Sequence, residues 1–258
     1  MNERIIVVIP ARYASTRFPG KPLARIAGKT MIERVWERCM SIESDAEILI
    51  ATDDERIAAE VRSFGGEAVM TPDDLASGSD RVAWVAAHTD ATMFVNVQGD
   101  EPLLPPATID AVIRSLRDSD ADIATAACPL RSHRHMFDPN IVKLVTDRNG
   151  NALYFSRAGI PFPRETENDG NAFDTDGVFL QHIGIYAFHR QSLLRFAALE
   201  ESTLERVEKL EQLRALEHGM RICVSIVPAH SQSVDTPEDL AKVEKSIRLM
   251  NRLDNSDD

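Results

Sequence analysis

The segment Pro10-Ala-Arg-Tyr-Ala-Ser-Thr-Arg-Phe-Pro-Gly-Lys-Pro22 holds Arg12, Arg17 and Lys21 without one acidic residue, in a chain of formal net charge -12. It follows directly on the apolar run at residues 5–9. A strand that empties into a small-residue, basic loop is how α/β proteins offer backbone N–H groups and cations to a phosphate chain. Ala14, Ser15 and Gly20 let the backbone wrap close to phosphate oxygens, which the guanidinium groups can grip bidentately. A solvated basic turn is the plainer reading, and the position at the end of the first strand argues against it. Asp100, in Val97-Gln-Gly-Asp-Glu-Pro102, ends a second apolar run, where an ionised carboxylate needs a partner. A hard divalent ion supplies one. Mg2+ takes one or two carboxylates together with phosphate oxygens, and Asp235 is a candidate second ligand from the far end of the sequence. The competing reading is that these two aspartates only cap a turn and a helix.

The elements that must position these residues come from hydrophobic periodicity. Strand-like runs at 5–9, 48–52, 67–70 and 93–97 alternate with helix-like stretches at 31–40, 54–64, 79–88 and 106–116, which predicts a parallel sheet covered by helices. Ligands of such sheets lie beyond the carboxyl ends of the strands, where strand order reverses. Beyond residue 123, strand candidates at 123–127, 141–146, 152–155, 182–188 and 221–227 have fewer helices between them and read as an antiparallel extension. One helix is expected over 203–218, with Leu204, Val207, Leu210 and Leu213 as its buried stripe. Another is expected over 237–250, capped by Thr236 or Asp235 with Pro237 at its first position. Residues 164–177 read as a mobile acidic surface loop and those from 251 onward as a polar tail. Asp53-Asp54 and Ser77-Gly-Ser-Asp-Arg81 read as helix starts with acidic first turns. With a triphosphate on the first loop, Ser77 and Gly78 would also lie where a base can use their backbone groups.

Other chemistries lose support. The hydrophobic fraction of 43% and charged fraction of 27% are those of an ordinary globular protein, and the acidic balance argues against sequence-independent nucleic-acid binding. Cys39, Cys128 and Cys223 lack the spacing of a zinc site or disulfide framework and read as buried filler. His133 and His135 have no third ligand at metal spacing and are expected at the surface. Gly28-Lys29-Thr30 resembles the end of a Walker A loop, but Leu23 stands where that pattern needs glycine. No Gly-x-Gly-x-x-Gly follows the first strand, which removes the main argument for a nicotinamide or flavin cofactor. The first apolar run is too short for a signal-peptide core or a membrane span, so a cytoplasmic location is expected.

Together with the basic loop, Ala51-Thr-Asp53, Val95-Asn-Val-Gln-Gly-Asp-Glu-Pro102, Ala152-Leu-Tyr-Phe-Ser-Arg-Ala158, Lys209-Leu-Glu-Gln-Leu-Arg214 and Val234-Asp-Thr-Pro-Glu-Asp239 occur in one order. In these motifs the chain resembles the 3-deoxy-manno-octulosonate cytidylyltransferase family over nearly its whole length. The resemblance implies an α/β, Rossmann-like nucleotidyltransferase of the GT-A-like type, with a mostly parallel central sheet plus an antiparallel extension. It also implies a single domain over residues 1–250, a homodimer, and synthesis of CMP-Kdo and pyrophosphate from CTP and Kdo (3-deoxy-D-manno-octulosonate) for lipopolysaccharide. Carried over residue by residue, it puts CTP on Arg12, Ser15, Arg17, Lys21, Ser77, Gly78 and Arg81. Mg2+ falls on Asp100 and Asp235, with Lys21 beside them in the catalytic set. The sugar acid falls on Gln98, Arg157, His182, Tyr186, Glu211 and Gln212. Ser79 stands where the family commonly has threonine, which keeps the hydroxyl. The rival acceptors are 8-amino-Kdo and sialic acid, and Tyr154-Phe-Ser-Arg-Ala158 and Leu210-Glu-Gln-Leu213 favour Kdo. A rival of another class is a non-catalytic nucleotide-binding regulator.

Overall fold

The run Ile5-Ile-Val-Val-Ile9, all β-branched and all buried, forms the centre of strand β1 (Ile5–Ala11). Such a run suits a strand covered on both faces. The computed structural model describes residues 3–14, 18–130, 132–164, 178–229 and 232–254. Its chain divides into two compact units, one of residues 1–110 with 231–258 and the other of residues 111–230.

In the first unit β1 is followed by a hairpin of β2 (Arg25–Ile26) and β3 (Lys29–Thr30). The hairpin turns on Ala27 (φ 47°) and Gly28 (φ 88°), the two positive φ values that a tight two-residue turn demands. The stretch that mimics a Walker A ending is therefore a hairpin turn. Then come α1 (Met31–Met40), β4 (Glu47–Thr52), α2 (Glu55–Ser63), β5 (Glu67–Met70), α3 (Gly78–Ala87) and β6 (Met93–Asn96), and α4 (Pro106–Arg117) begins in this unit and runs on into the second. Thr30, Asp54 and Ser77 cap α1, α2 and α3 through their side-chain oxygens. β1 pairs in parallel with β4 and with β6, and β4 with β5. The chain steps outward from β1 to β4 and β5, then returns to the other side of β1 as β6. The reversal of strand order lies between β1 and β6, so the crevice beyond their carboxyl ends is where a ligand of this sheet belongs.

The second unit contains β7 (Ile123–Pro129), α5 (His133–Phe137), β8 (Lys143–Thr146), β9 (Ala152–Ser156), β10 (Leu180–His189), α6 (Arg190–Ala197), α7 (Thr203–Glu208), α8 (Gln212–Glu217) and β11 (Ile222–Ile226). β10 runs antiparallel to β7 and β8, and β8 antiparallel to β9, while β11 is parallel to β7. This is the expected antiparallel extension. The last helix, α9 (Pro237–Asp254), belongs again to the first unit. Thr236 Oγ1 accepts from Asp239 N at 3.2 Å to cap it, and Val243 and Ile247 pack with Ile26, Met31 and Val234.

Three expectations are corrected. The single helix over 203–218 is two short helices, because Lys209 adopts a left-handed conformation (φ 53°, ψ 48°). The leucine stripe breaks with it: Leu210 and Leu213 are buried, whereas Val207 is 77% exposed. The last helix continues through Asn251 to Asp254, into the stretch expected as tail. Helices α5 and α6 and the β2–β3 hairpin had no counterpart in the sequence reading. The acidic loop at 165–177 and residues 255–258 lie outside the described residues. All three cysteines are buried and outside any disulfide, as expected of filler, and His135 is exposed. Among the described residues no helix is long and apolar enough to cross a membrane.

Candidate functional site

At the switch point of the first unit, three stretches of sequence bring their charges to one place. β1 ends at Ala11 and Arg12 follows it, half-buried. Tyr13 is held from outside by the Arg56 guanidinium, which lies 3.3 Å from the centre of its ring and is itself gripped by Asp54 at 2.6 and 2.9 Å. Gly20 N then donates to Tyr13 O at 2.9 Å, and its left-handed backbone (φ 72°) turns the chain into a short 3-10 turn at Lys21–Leu23. Ser15 and Arg17, expected on the triphosphate, lie outside the described residues.

Lys21 is rooted in that turn. Its Nζ donates to Asp100 Oδ2 at 2.7 Å and to Val234 O at 3.1 Å, and lies 3.6 Å from Asp235 Oδ1. Asp100 arrives from the loop after β6, and Gly99 makes that possible. A Cβ on Gly99 would stand 2.9 Å from Pro10 O, inside the contact limit, so only glycine lets this loop lie against the end of β1. Val234 N donates to Asp100 O at 2.9 Å, which ties the two aspartate-bearing segments together. Two carboxylate oxygens thus converge on one cationic atom, the donor set that a hard divalent ion takes with phosphate oxygens. Among the described residues there is no group of three or more ligating side chains, so a metal here needs ligands from its substrate.

Ser77 Oγ accepts from Asp80 N while Asp80 Oδ2 accepts from Ser77 N, a capping box that presents the first turn of α3. Gln98 Nε2 donates to Asn96 Oδ1 at 3.5 Å, and a Cβ on Gly78 would lie 4.0 Å from Gln98 Oε1, which puts the two expected ligand-contacting residues side by side. Arg81 is a correction. The resemblance made it a CTP contact, yet it has 0% exposure, and its guanidinium is bonded to Asp53 Oδ2 at 2.8 Å and to Thr71 Oγ1. A side chain with no accessible surface touches no ligand directly. It holds the start of α3 against the loops that follow β4 and β5.

The second unit carries the remaining expected sugar residues. On β10, His182 Nε2 lies 2.9 Å from Thr125 Oγ1, with the Phe155 ring edge-on at 5.0 Å and Tyr186 at 5.5 Å. Burial, and then the charge of Glu211, push the Tyr186 phenol upward, so it stays a neutral donor. Gln212 is 5% exposed, and its buried Nε2 has no hydrogen-bond partner among the described residues. A buried amide is normally bonded, and an orphaned one marks a place for a group from outside the chain. Arg157 is held by the structure: Nε donates to Glu208 O at 2.7 Å, one terminal nitrogen to Pro139 O at 2.9 Å and the other to Lys209 O at 3.4 Å. Three of its five N–H groups are thereby used.

Several residues of these clusters had no signal in the sequence reading. Glu208, the residue just before the Lys209–Arg214 motif, accepts from Ser156 Oγ at 2.7 Å and from Arg157 N at 2.9 Å in the Ala152–Ala158 motif. Lys143, fully buried, gives its ammonium to the carbonyls of Asp138, Ile141 and Arg157, and burial lowers its pKa. Their acceptors are mostly backbone atoms, which no residue type announces.

The cytidylyltransferase family model matches residues 6–222. A 3-deoxy-manno-octulosonate cytidylyltransferase of Syntrophotalea carbinolica is 53% identical over 246 residues, 95% of this chain and 98% of that one. That of Geobacter metallireducens is 49% identical, covering 93% and 96%. A solved structure of CMP:2-keto-3-deoxy-manno-octonic acid synthetase complexed with CTP superposes with a TM-score of 0.89 at 39% identity, over 96% of this chain and all of that one. A Leptospira borgpetersenii cytidylyltransferase, at 15% identity and a TM-score of 0.62, shares the fold alone. On motifs, fold and identity over nearly its full length, the chain belongs to the 3-deoxy-manno-octulosonate cytidylyltransferase family.

Proposed function

We propose that this chain transfers the cytidylyl group of CTP to Kdo, giving CMP-Kdo and pyrophosphate for lipopolysaccharide biosynthesis. The observation that carries the reading is the meeting of Lys21, Asp100 and Asp235 beyond the strand ends at the switch point. The reaction is in-line attack by the sugar's anomeric C2 hydroxyl on the α-phosphorus. A triphosphate and a sugar carboxylate repel each other, so the site must supply positive charge before the oxygen can approach. Arg12 and Lys21, with Ser15 and Arg17 of the same loop, hold the phosphates and stabilise the departing pyrophosphate. Asp100 and Asp235 would hold Mg2+. When bound, that ion would polarise phosphate oxygen and lower the pKa of a coordinated hydroxyl. Ser77 and Gly78 offer backbone groups to the base, with Arg81 fixing their helix from behind.

On the sugar side, Gln98, Arg157, His182, Tyr186, Glu211 and Gln212 are the proposed contacts. The neutral phenol of Tyr186 and the orphaned amide of Gln212 support it, since each is a donor suited to hydroxyl or carboxylate oxygen. We propose residues 1–250 as a single nucleotidyltransferase domain, a reading supported by the family model's match over residues 6–222. The test is pyrophosphate release with CTP and Mg2+, comparing Kdo, 8-amino-Kdo and sialic acid. Release is expected with Kdo and is expected to stop on chelation by EDTA. Release with none of the three would favour a nucleotide-binding regulator. The proposed state is a cytoplasmic homodimer, as the family resemblance implies. Sedimentation at twice the chain mass is expected, and a monomer at micromolar concentration would overturn that part.

A further inference from the structure

We infer that Lys21 is a resident counter-ion that keeps the Asp100–Asp235 site closed to divalent cations until a nucleotide draws it away. The inference rests on the reading of those two aspartates as metal ligands. An ammonium has three N–H groups; this one donates to Asp100 Oδ2 at 2.7 Å and to Val234 O at 3.1 Å, and Asp235 Oδ1 lies 3.6 Å away as an ion-pair partner beyond hydrogen-bond distance. Its charge is therefore satisfied within the site. The same lysine that is expected to hold CTP is therefore committed to the metal ligands when no nucleotide is present.

The arrangement is built in. Lys21 N donates to Phe18 O at 3.1 Å, Leu23 N to Gly20 O at 2.9 Å and Ala24 N to Lys21 O at 3.1 Å, which fix the root of the side chain. The bond from Val234 N to Asp100 O fixes its acceptors relative to one another. The lysine side chain is only 16% exposed, so its charge is poorly served by water and well served by the carboxylates. A divalent ion entering first would have to take Asp100 Oδ2 from the ammonium and shed part of its own hydration, which Mg2+ does reluctantly. A triphosphate entering first, or together with the ion, offers the ammonium new acceptors, and its departure leaves the aspartates facing the metal. Nucleotide and metal binding are then positively linked through one side chain, and linkage acts equally in both directions.

The experiment measures Mn2+ binding to the full-length protein without nucleotide, by the free-ion electron paramagnetic resonance signal. Wild type is expected to bind Mn2+ weakly. Lys21→Met, which keeps the apolar stem and removes the charge, is expected to tighten nucleotide-free Mn2+ binding by about tenfold, within the usual range for coupled sites. Lys21→Arg, which keeps the charge, is expected to stay weak. Equal Mn2+ affinity of wild type and Lys21→Met, or tight binding to nucleotide-free wild type, would overturn the inference. A parallel measurement with CTP separates it from the metal reading. Water-proton relaxation enhancement by protein-bound Mn2+ should appear with wild type and vanish in Asp100→Ala. Enhancement unchanged by Asp100→Ala would sink the metal reading and the inference with it.

Discussion

Asp100→Ala is expected to slow CMP-Kdo formation by about a hundredfold to a thousandfold, the scale seen when a group that stabilises transition-state charge is removed, while leaving the protein folded. The carboxylate is partly exposed and sits in a loop after β6, so its removal opens no cavity in the core. It takes from Lys21 its shortest partner, but Val234 O and Asp235 remain within 3.1 and 3.6 Å of the ammonium. The change in unfolding free energy should stay within about 1 kcal/mol, as for partly exposed ion pairs. CTP binding, followed by titration calorimetry without metal, should be kept or slightly tightened, because Lys21 is freed toward phosphate. Loss of turnover with retained binding separates a role in the chemical step from a role in capture. Asp235→Ala should behave alike. Near-normal turnover in both variants would refute the assignment of these aspartates to the metal and to the reaction.

The parts of this structure that were legible beforehand share one property: their cause is local. β1, β4, β5 and β6 are short apolar runs, and α1 to α4 carry a 3.6-residue period, with caps recognisable at Asp54 and Ser77. The switch point followed from the βα rhythm, and the basic loop and Asp100 were placed there because both follow strands. The break at Lys209 was illegible for the opposite reason. No glycine or proline marks it, and the left-handed residue is stabilised from elsewhere: Glu208 is needed by Ser156 and Arg157, and the carbonyls of Glu208 and Lys209 accept from the Arg157 guanidinium. A helix continuing through that point would aim these groups differently. Arg214, which lies in the same motif, is spent on a two-pronged bond to Glu205 at 2.6 and 2.8 Å that locks α8 onto α7.

Helix α6 escaped notice because His189 at its start gives no side-chain cap. The proposed sugar contacts His182, Tyr186 and Gln212 came only from family resemblance, since each is an ordinary residue type at an ordinary spacing. What singles them out is burial, in particular the orphaned amide of Gln212. Burial is a property of the fold and is not written in the residue.

Arg81→Met is the second large effect expected, this time on stability. Arg81 has 0% exposure and its partner Asp53 is 17% exposed, so the substitution leaves a largely buried carboxylate without its cation. Breaking a buried pair from one side costs about 3 to 5 kcal/mol, which for a chain of this size lowers the melting temperature by roughly 6 to 20 °C. The guanidinium also bonds Thr71 Oγ1 and, at 3.4 Å, Pro72 O. Its loss therefore releases the loop after β5 and the start of α3 together, and the KM for CTP should rise more than kcat falls. A double variant, Arg81→Met with Asp53→Leu, removes the stranded charge as well and should recover part of the lost stability, because replacing both members of a buried pair is far cheaper than removing one. Recovery in melting temperature without recovery in KM would mean that the pair positions the nucleotide end of α3 beyond simply filling the interior. If the double variant is no more stable than Arg81→Met alone, the stranded carboxylate is not the cause. The cost would then lie in packing around the arginine stem, whose Nε has no hydrogen-bond partner among the described residues.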